Sequence, residues 1–178
     1  MTTQLLIAGF GGQGVLFAGK FIAYKGLMEE KEVSWLPSYG PEMRGSTANC
    51  SIILSDEPVG SPIVSNPDVL IAMNLPSLDK YEDATVAGGS IFIDSTLIGR
   101  KVERSDVKAF YIPATKMAND AGIPTLANMI MMGKMIKETG MVRFDDVVDT
   151  LKKVVSAKRA NLLELNIKAL EAGYNYNE

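Results

Sequence analysis

The stretch Leu5-Leu6-Ile7-Ala8-Gly9-Phe10-Gly11-Gly12-Gln13-Gly14, continuing from Val15 to Lys20, decides how the rest of the chain is read. An apolar run enters a cluster of glycines and leaves it as a helical pattern, so a buried strand turns sharply into a helix. Gly9, Gly11 and Gly14 have the spacing of a dinucleotide-binding turn. The three glycines of such a turn serve a tight bend, close approach to a pyrophosphate and close packing of helix on strand. The bare N–H groups at the helix mouth attract phosphate. The same turn also occurs as pure architecture, and both readings stand at this point. A nicotinamide site further needs a carboxylate at the end of the second strand, about 20 residues on, to hold the ribose. Glu29, Glu30 and Glu32 read as the exposed end of the first helix and its loop. The second strand, Val33-Ser34-Trp35-Leu36, runs into Pro37-Ser38-Tyr39 without an acidic residue. The spacing therefore favours a phosphate-bearing ligand over NAD, with a stand-alone NAD(P)- or nucleotide-binding enzyme as the alternative.

Composition narrows the chemistry. The 178 residues suit one domain, a size that buries about 70% of its unfolded surface. A formal net charge of −3 and the lack of a basic stripe argue against a nucleic-acid partner. Neither a basic leader nor an apolar run of membrane-spanning length is present, so the expected compartment is the cytoplasm, away from membranes. There is no histidine, which removes the commonest general base, the usual zinc ligand and a Ser-His-Asp triad. The one cysteine, Cys50, is too few for an iron–sulfur cluster, which takes about four thiolates. In Ala48-Asn49-Cys50-Ser51-Ile52-Ile53-Leu54 it reads as a small core residue. Electron carriers, if any, belong to another chain.

Strand and helix signals alternate. Strands are expected at about 4–10, 33–36, 47–55, 69–73, 90–94 and 109–112, and the first helix at 13–29. Pro76 opens a short helix after Asn74 or Leu75, and Thr115 is placed to cap the helix after Pro113. The C-terminal third, about 126–173, is helical: residues 126–139 end at Gly140, and Val147, Val148, Leu151, Val154 and Val155 share one face. Residues 174–178 read as a loose tail. These elements predict a single three-layer α/β/α domain over 1–178, with a largely parallel sheet to which the stretch near 47–64 adds antiparallel strands. Met129, Met131, Met132 and Met135 mark a helix buried either in its own core or against a partner.

The segment from Pro37 to Gly45 is too elaborate for a plain connector. It holds two prolines, two glycines, Tyr39, Glu42 and Arg44, and loops of such fixed backbone chemistry often carry function. Arg44 is either a bidentate clamp for a phosphate or carboxylate or the ion-pair partner of Glu42.

Gly9-Phe10-Gly11-Gly12-Gln13-Gly14 with Lys20, then Ser38-Tyr39-Gly40-Pro41-Glu42-Met43-Arg44-Gly45, Ala48-Asn49-Cys50 and Ser55-Asp56-Glu57-Pro58-Val59-Gly60-Ser61-Pro62, follow one another in a set order. Together they closely resemble the gamma subunit of 2-oxoacid:ferredoxin oxidoreductases. The likeness is greatest to the 2-oxoglutarate enzymes, and the pyruvate and ketoisovalerate enzymes are similar. It extends over nearly the whole chain, through Asn66-Pro67-Asp68 and Asn74-Leu75-Pro76-Ser77-Leu78-Asp79. Ser46 departs from the pattern, where a glycine is expected after Arg44-Gly45.

The resemblance implies a subunit, not itself catalytic, of an enzyme that oxidatively decarboxylates a 2-oxoacid to an acyl-CoA, carbon dioxide and reduced ferredoxin. Coenzyme A would occupy a site shared with partners. Thiamine diphosphate and the iron–sulfur clusters would sit on partner subunits of alpha, beta and delta type, which also deliver electrons to ferredoxin. Accordingly, the Gly-Asp-Gly thiamine motif is missing from this chain. The expected cofactor-binding residues are Gly9, Phe10, Gly11, Gly12, Gln13, Gly14, Val15, Lys20, Ser38, Tyr39, Gly40, Glu42 and Arg44, with no metal ligand. Backbone N–H groups of Gly11 to Val15 would face the phosphates, aided by about 0.3–1 kcal/mol of helix dipole. Gln13 would bond a phosphate or the adenine. Lys20 either reaches an anion or is a solvated side chain. Ser38 to Arg44 would face the partner and shape the thiol end. A few phosphate hydrogen bonds, less the ordering cost, leave roughly millimolar affinity for the chain alone.

Overall fold

The computed structural model describes residues 1–39 and 47–178. Nine-residue β1 (Thr2–Phe10) leads through the glycine turn into α1 (Val15–Met28). β2 (Glu32–Tyr39) and β3 (Thr47–Ser55) follow, then β4 (Val69–Ala72), α2 (Leu75–Tyr81), β5 (Ser90–Asp94) and β6 (Lys108–Ile112). The remainder is helical: α3 (Ala114–Asp120), α4 (Ala127–Thr139), α5 (Val147–Val154) and α6 (Asn161–Tyr174).

The six strands form one sheet in the order β2-β3-β1-β4-β5-β6. β1, β4, β5 and β6 run parallel, whereas β3 is antiparallel to both β1 and β2. The sheet is thus mixed, with the reversed strand in the expected stretch. β2 extends beyond its predicted length as an edge strand, where Pro37 is tolerated because its missing N–H removes no bond from the outer edge.

Alternation along the strands separates two cores. Leu5 and Ile7 of β1, with Cys50, Ile52 and Leu54 of β3, face a large core shared with α1, α4 and α6. Leu6, Ile53, Leu70, Ile91 and Ile93 face a smaller one with Leu78 of α2 and Ile98. The three layers are therefore unequal. One face carries the main helices, and the other is covered by α2 and the connections around it. Arg100 holds that side together by pairing with Asp79 at 2.8 Å and Glu82 at 2.9 Å.

The methionine helix α4 belongs to the chain's own core. Met129, Met131, Met132 and Met135 are all buried there. α6 crosses α4 so closely that a Cβ on Gly133 would strike the Leu170 carbonyl, and one on Gly173 the Ile130 carbonyl.

Four expectations need correction. The first helix begins at Val15, since Gly14 adopts a left-handed conformation and still belongs to the turn. Glu29 is not exposed: its Oε1 accepts from the backbone N–H of Arg143 at 2.9 Å and from Arg143 Nε at 3.0 Å. Thr115 does not cap α3. Asp94, buried at the end of β5, accepts instead from the Thr115 N–H at 3.3 Å and from its hydroxyl at 2.6 Å. The C-terminal residues are docked, with Glu178 accepting from the Tyr111 N–H on the outer edge of β6 at 2.8 Å. Lys134 also donates to the Tyr176 carbonyl at 3.0 Å.

Candidate functional site

The glycine turn leaves the sheet at the carboxyl ends of its parallel strands, where open α/β sheets bind ligands, whereas Ser55, which opens the Ser55–Pro62 motif, pairs with Thr2 at the opposite end. Gly9 packs against β4, and a Cβ on it would come within 2.8 Å of Met73 Cβ. Gly12 and Gly14 have φ of 89° and 72°, a left-handed backbone that strains any side chain. At Gly14 an added Cβ would also run into the Asn128 carboxamide from α4.

Gln13 braces the bend from within. Its Oε1 accepts from the Phe10 N–H at 2.6 Å, and its Nε2 donates to the Met73 carbonyl at 3.0 Å. Both ends of the carboxamide are thus engaged inside the protein, which points the role of Gln13 toward shaping the turn. Backbone closure between Gln13 N–H and the Phe10 carbonyl, 3.2 Å, completes the bend.

The mouth of α1 is open. No side chain caps it, and Phe10 and Gly12 are exposed while Gly11 and Gly14 are half-buried. Intrahelical bonding begins with the Ala18 N–H on the Gly14 carbonyl at 3.0 Å. The N–H groups of Val15, Leu16 and Phe17 therefore have no acceptor within the helix, and such groups, with the macrodipole, favour negative charge.

Lys20 stands further along α1, its Nζ 5.9 Å from the centre of the Tyr24 ring. Ser38 and Tyr39 lie at the end of β2. Tyr39 pairs across the ladder with Ala48, which in turn pairs with Gly9. Two strand spacings, about 9.5 Å, therefore separate Tyr39 from the start of the glycine turn. Gly40, Glu42 and Arg44 lie outside the described residues. The ladder also bears on the nicotinamide alternative. β3 intervenes between β1 and β2, and β2 ends in Ser38 and Tyr39 with no carboxylate. The ribose-binding geometry of a dinucleotide fold is not reproduced.

Cys50 is structural, as its sequence context suggested. It lies under α1 at Gly19, and the Trp35 Nε1–H donates to its Sγ at 2.8 Å. Burial pushes its thiol up to about 12, far from a reactive thiolate. Among the described residues no cluster of acidic or cysteine side chains could hold a metal, and no helix is long and apolar enough to cross a membrane.

Sequence reasoning missed Asn128, the α4 residue that donates to the Gly14 carbonyl at 3.0 Å. The available signal was one polar residue in the apolar run Leu126-Ala127-Asn128-Met129-Ile130-Met131-Met132. It also missed Asp94, an acid ending the apolar strand Ile91-Phe92-Ile93.

Comparison with known proteins assigns this arrangement. The pyruvate ferredoxin/flavodoxin oxidoreductase pattern matches residues 4–176. The chain belongs to the pyruvate ferredoxin/flavodoxin oxidoreductase family. Within it, the ketoisovalerate oxidoreductase subunit VorA of Methanothermobacter thermautotrophicus is 39% identical over 173 residues, which are 96% of this chain and 35% of VorA. The chain thus spans about a third of the length of that relative. The 2-oxoglutarate synthase subunit KorC of Methanocaldococcus jannaschii is 32% identical, with 98% of this chain aligned to 93% of KorC. Among solved structures, the keto/oxoacid ferredoxin oxidoreductase gamma subunit of Geobacter sulfurreducens superposes with a TM-score of 0.82 at 28% identity. That match covers 97% of this chain and 96% of the other. The mixed six-stranded sheet with its helices is the gamma-subunit fold of this family.

Proposed function

We propose that this chain is the gamma subunit of a CoA-dependent 2-oxoacid:ferredoxin oxidoreductase. It holds the diphosphate of coenzyme A on the amides of residues 11–15 and covers the thiamine diphosphate site of partner subunits. The observation that carries this reading is the N-terminus of α1, which no side chain caps, whose first turn holds no acidic residue, and whose preceding bend is braced by Gln13. The family supplies the reaction class. The relatives' names span 2-oxoglutarate and ketoisovalerate, and either acid, or pyruvate, fits a chain that itself lacks an acid, base or nucleophile at the turn.

Thiamine diphosphate would supply the carbanion chemistry and iron–sulfur clusters the electron path, both on alpha-, beta- or delta-type partners. This chain's part is binding and exclusion of water. Its turn holds the carrier's anionic end, and Ser38 to Arg44 shape the path of the thiol toward the partner.

Co-purification with the thiamine-binding and ferredoxin-like chains tests the assignment, followed by CoA-dependent ferredoxin reduction with 2-oxoglutarate, 2-oxoisovalerate and pyruvate. An assembled enzyme whose KM for CoA rises in Arg44→Ala supports it. A complex that reduces ferredoxin equally well without this chain contradicts it, as does submicromolar nicotinamide binding by the chain alone.

A further inference from the structure

Between Asp149 and Glu164 the chain carries no acidic residue, yet Lys152, Lys153, Lys158 and Arg159 all fall there. The formal net charge of the whole chain is −3, so this positive charge is a local concentration. All four side chains are exposed. Among the described residues none of them is within ion-pair distance of a carboxylate. Lys152 and Lys153 lie in the last turn of α5, where the helix dipole favours cations. Lys158 and Arg159 have no such explanation. They immediately precede α6, at the end where the dipole disfavours positive charge, and no side chain caps that helix. The cations rim an apolar groove. A hollow of about 350 Å³ lies over Phe17, Val154 and Leu162, with Arg159 in its wall. A second, of about 160 Å³, lies over Ala157, Ala160 and Leu163, with Lys152 in its wall. Val155 and Ser156 line both, so the two join across the connector between α5 and α6, and no carboxylate lines either.

We propose that this groove seats an acidic amphipathic segment of a partner subunit. Its apolar side chains fill the two hollows, and its carboxylates meet Lys152, Lys158 and Arg159. The inference rests on reading the chain as one subunit of an oxidoreductase complex. An apolar centre inside a polar rim is the anatomy of a protein–protein contact. Unpaired cations on that rim select an occupant of opposite charge. A second copy of this chain is a poor occupant, because a symmetric contact presents the same patch on both sides and would set these cations against each other. A nucleic acid would meet the cations and leave the apolar hollows unfilled. Gly14 edges the larger hollow, so a segment docked here lies against the flank of the glycine turn.

The test uses the complex co-purified with the thiamine-binding and ferredoxin-like chains. A water-soluble carbodiimide joins lysine amines to carboxylates in direct contact, and mass spectrometry identifies the joined peptides. Cross-links from Lys152, Lys153 or Lys158 to aspartates or glutamates of a partner chain are expected. The double variant Lys158→Glu, Arg159→Glu should weaken assembly at least about tenfold, and its assembly should respond less to salt. Lys158→Arg should leave both properties unchanged. Ala157, which is exposed, offers an uncharged probe: Ala157→Trp plugs the smaller hollow and should weaken assembly while the melting temperature of the separate chain holds. Full-strength assembly of the double variant overturns the docking groove and leaves the subunit reading standing. Cross-links that join only two copies of this chain overturn it in favour of self-association. A raised KM for CoA with assembly intact overturns it by assigning the cations to a ligand's phosphates. Failure of the chain to join any thiamine-binding chain overturns the groove and the subunit reading together.

Discussion

The Gln13 carboxamide donates to the Met73 carbonyl at 3.0 Å, tying the bend after β1 to the end of β4. Its other end accepts from the Phe10 N–H, so one side chain sets the shape of the glycine turn from below. Gln13→Ala removes both bonds and is expected to lower stability by about 1–3 kcal/mol. Gln13→Glu keeps the acceptor for Phe10 and loses only the donor to Met73. It should cost less in a urea melt, yet abolish pyrophosphate binding because a negative charge then stands beneath the helix mouth. Equal melts and equal pyrophosphate binding for all three proteins would remove Gln13 from this role.

The crossing of α4 and α6 sets a second expectation. A methyl group at Gly173 meets the Ile130 carbonyl of the opposite helix backbone, which has no side chain to swing aside. Gly173→Ala should therefore cost about 1–3 kcal/mol or more from overpacking. Gly140→Ala is the control. Its φ is 61° with nothing near the added carbon, so only the left-handed backbone penalty of about 1–2 kcal/mol applies. Chemical denaturation of the two variants should rank them in that order.

Docking of the C-terminus gives a third. Deleting residues 175–178 strips the Glu178 carboxylate from the Tyr111 N–H and the Tyr176 carbonyl from the buried Lys134 ammonium. A loss of about 1–3 kcal/mol is expected, accompanied by aggregation, because the outer edge of β6 is bared. Thermal melting with light scattering reads both.

Alkaline titration gives a fourth. The Cys50 thiol is raised from 9.0 to about 12 by burial. The unfolded chain therefore releases its thiol proton at lower pH than the folded one. The resulting stability is complete below pH 9 and is lost as pH rises from 9 toward 12. Denaturation midpoints of the unaltered chain should fall across that window more steeply than those of Cys50→Ala. In the native state at pH 8, a thiol reagent should leave Cys50 unmodified until denaturant is added.

Much of the fold was legible in Leu5 to Lys20, because a strand, a glycine turn and a helix each leave a local pattern. The reversed β3 was foreshadowed by the turn-rich stretch near it, and of the two candidates Asn74 and Leu75 it is Asn74 that caps α2, its Oδ1 accepting the Ser77 N–H at 2.9 Å. Partnerships between distant residues were not readable. Nothing near Thr115 signals that Asp94, 21 residues earlier, takes over its capping role. Glu29 looks like a solvated helix end until Arg143, 114 residues away, covers it. Asn128 carries no motif, and its bond to Gly14 arises only once α4 packs over α1. The glycine turn after β1 was therefore visible in the sequence, and the helix contacts that close around it were not.

The close approach of the α4 and α6 backbones, Gly133 against Leu170 and Gly173 against Ile130, has one more implication. With no layer of side chains between them to compress, α4 and α6 form a stiff plank, and Asn128 and Asn166 ride on it at a set separation. A displacement of either helix is therefore shared by the other.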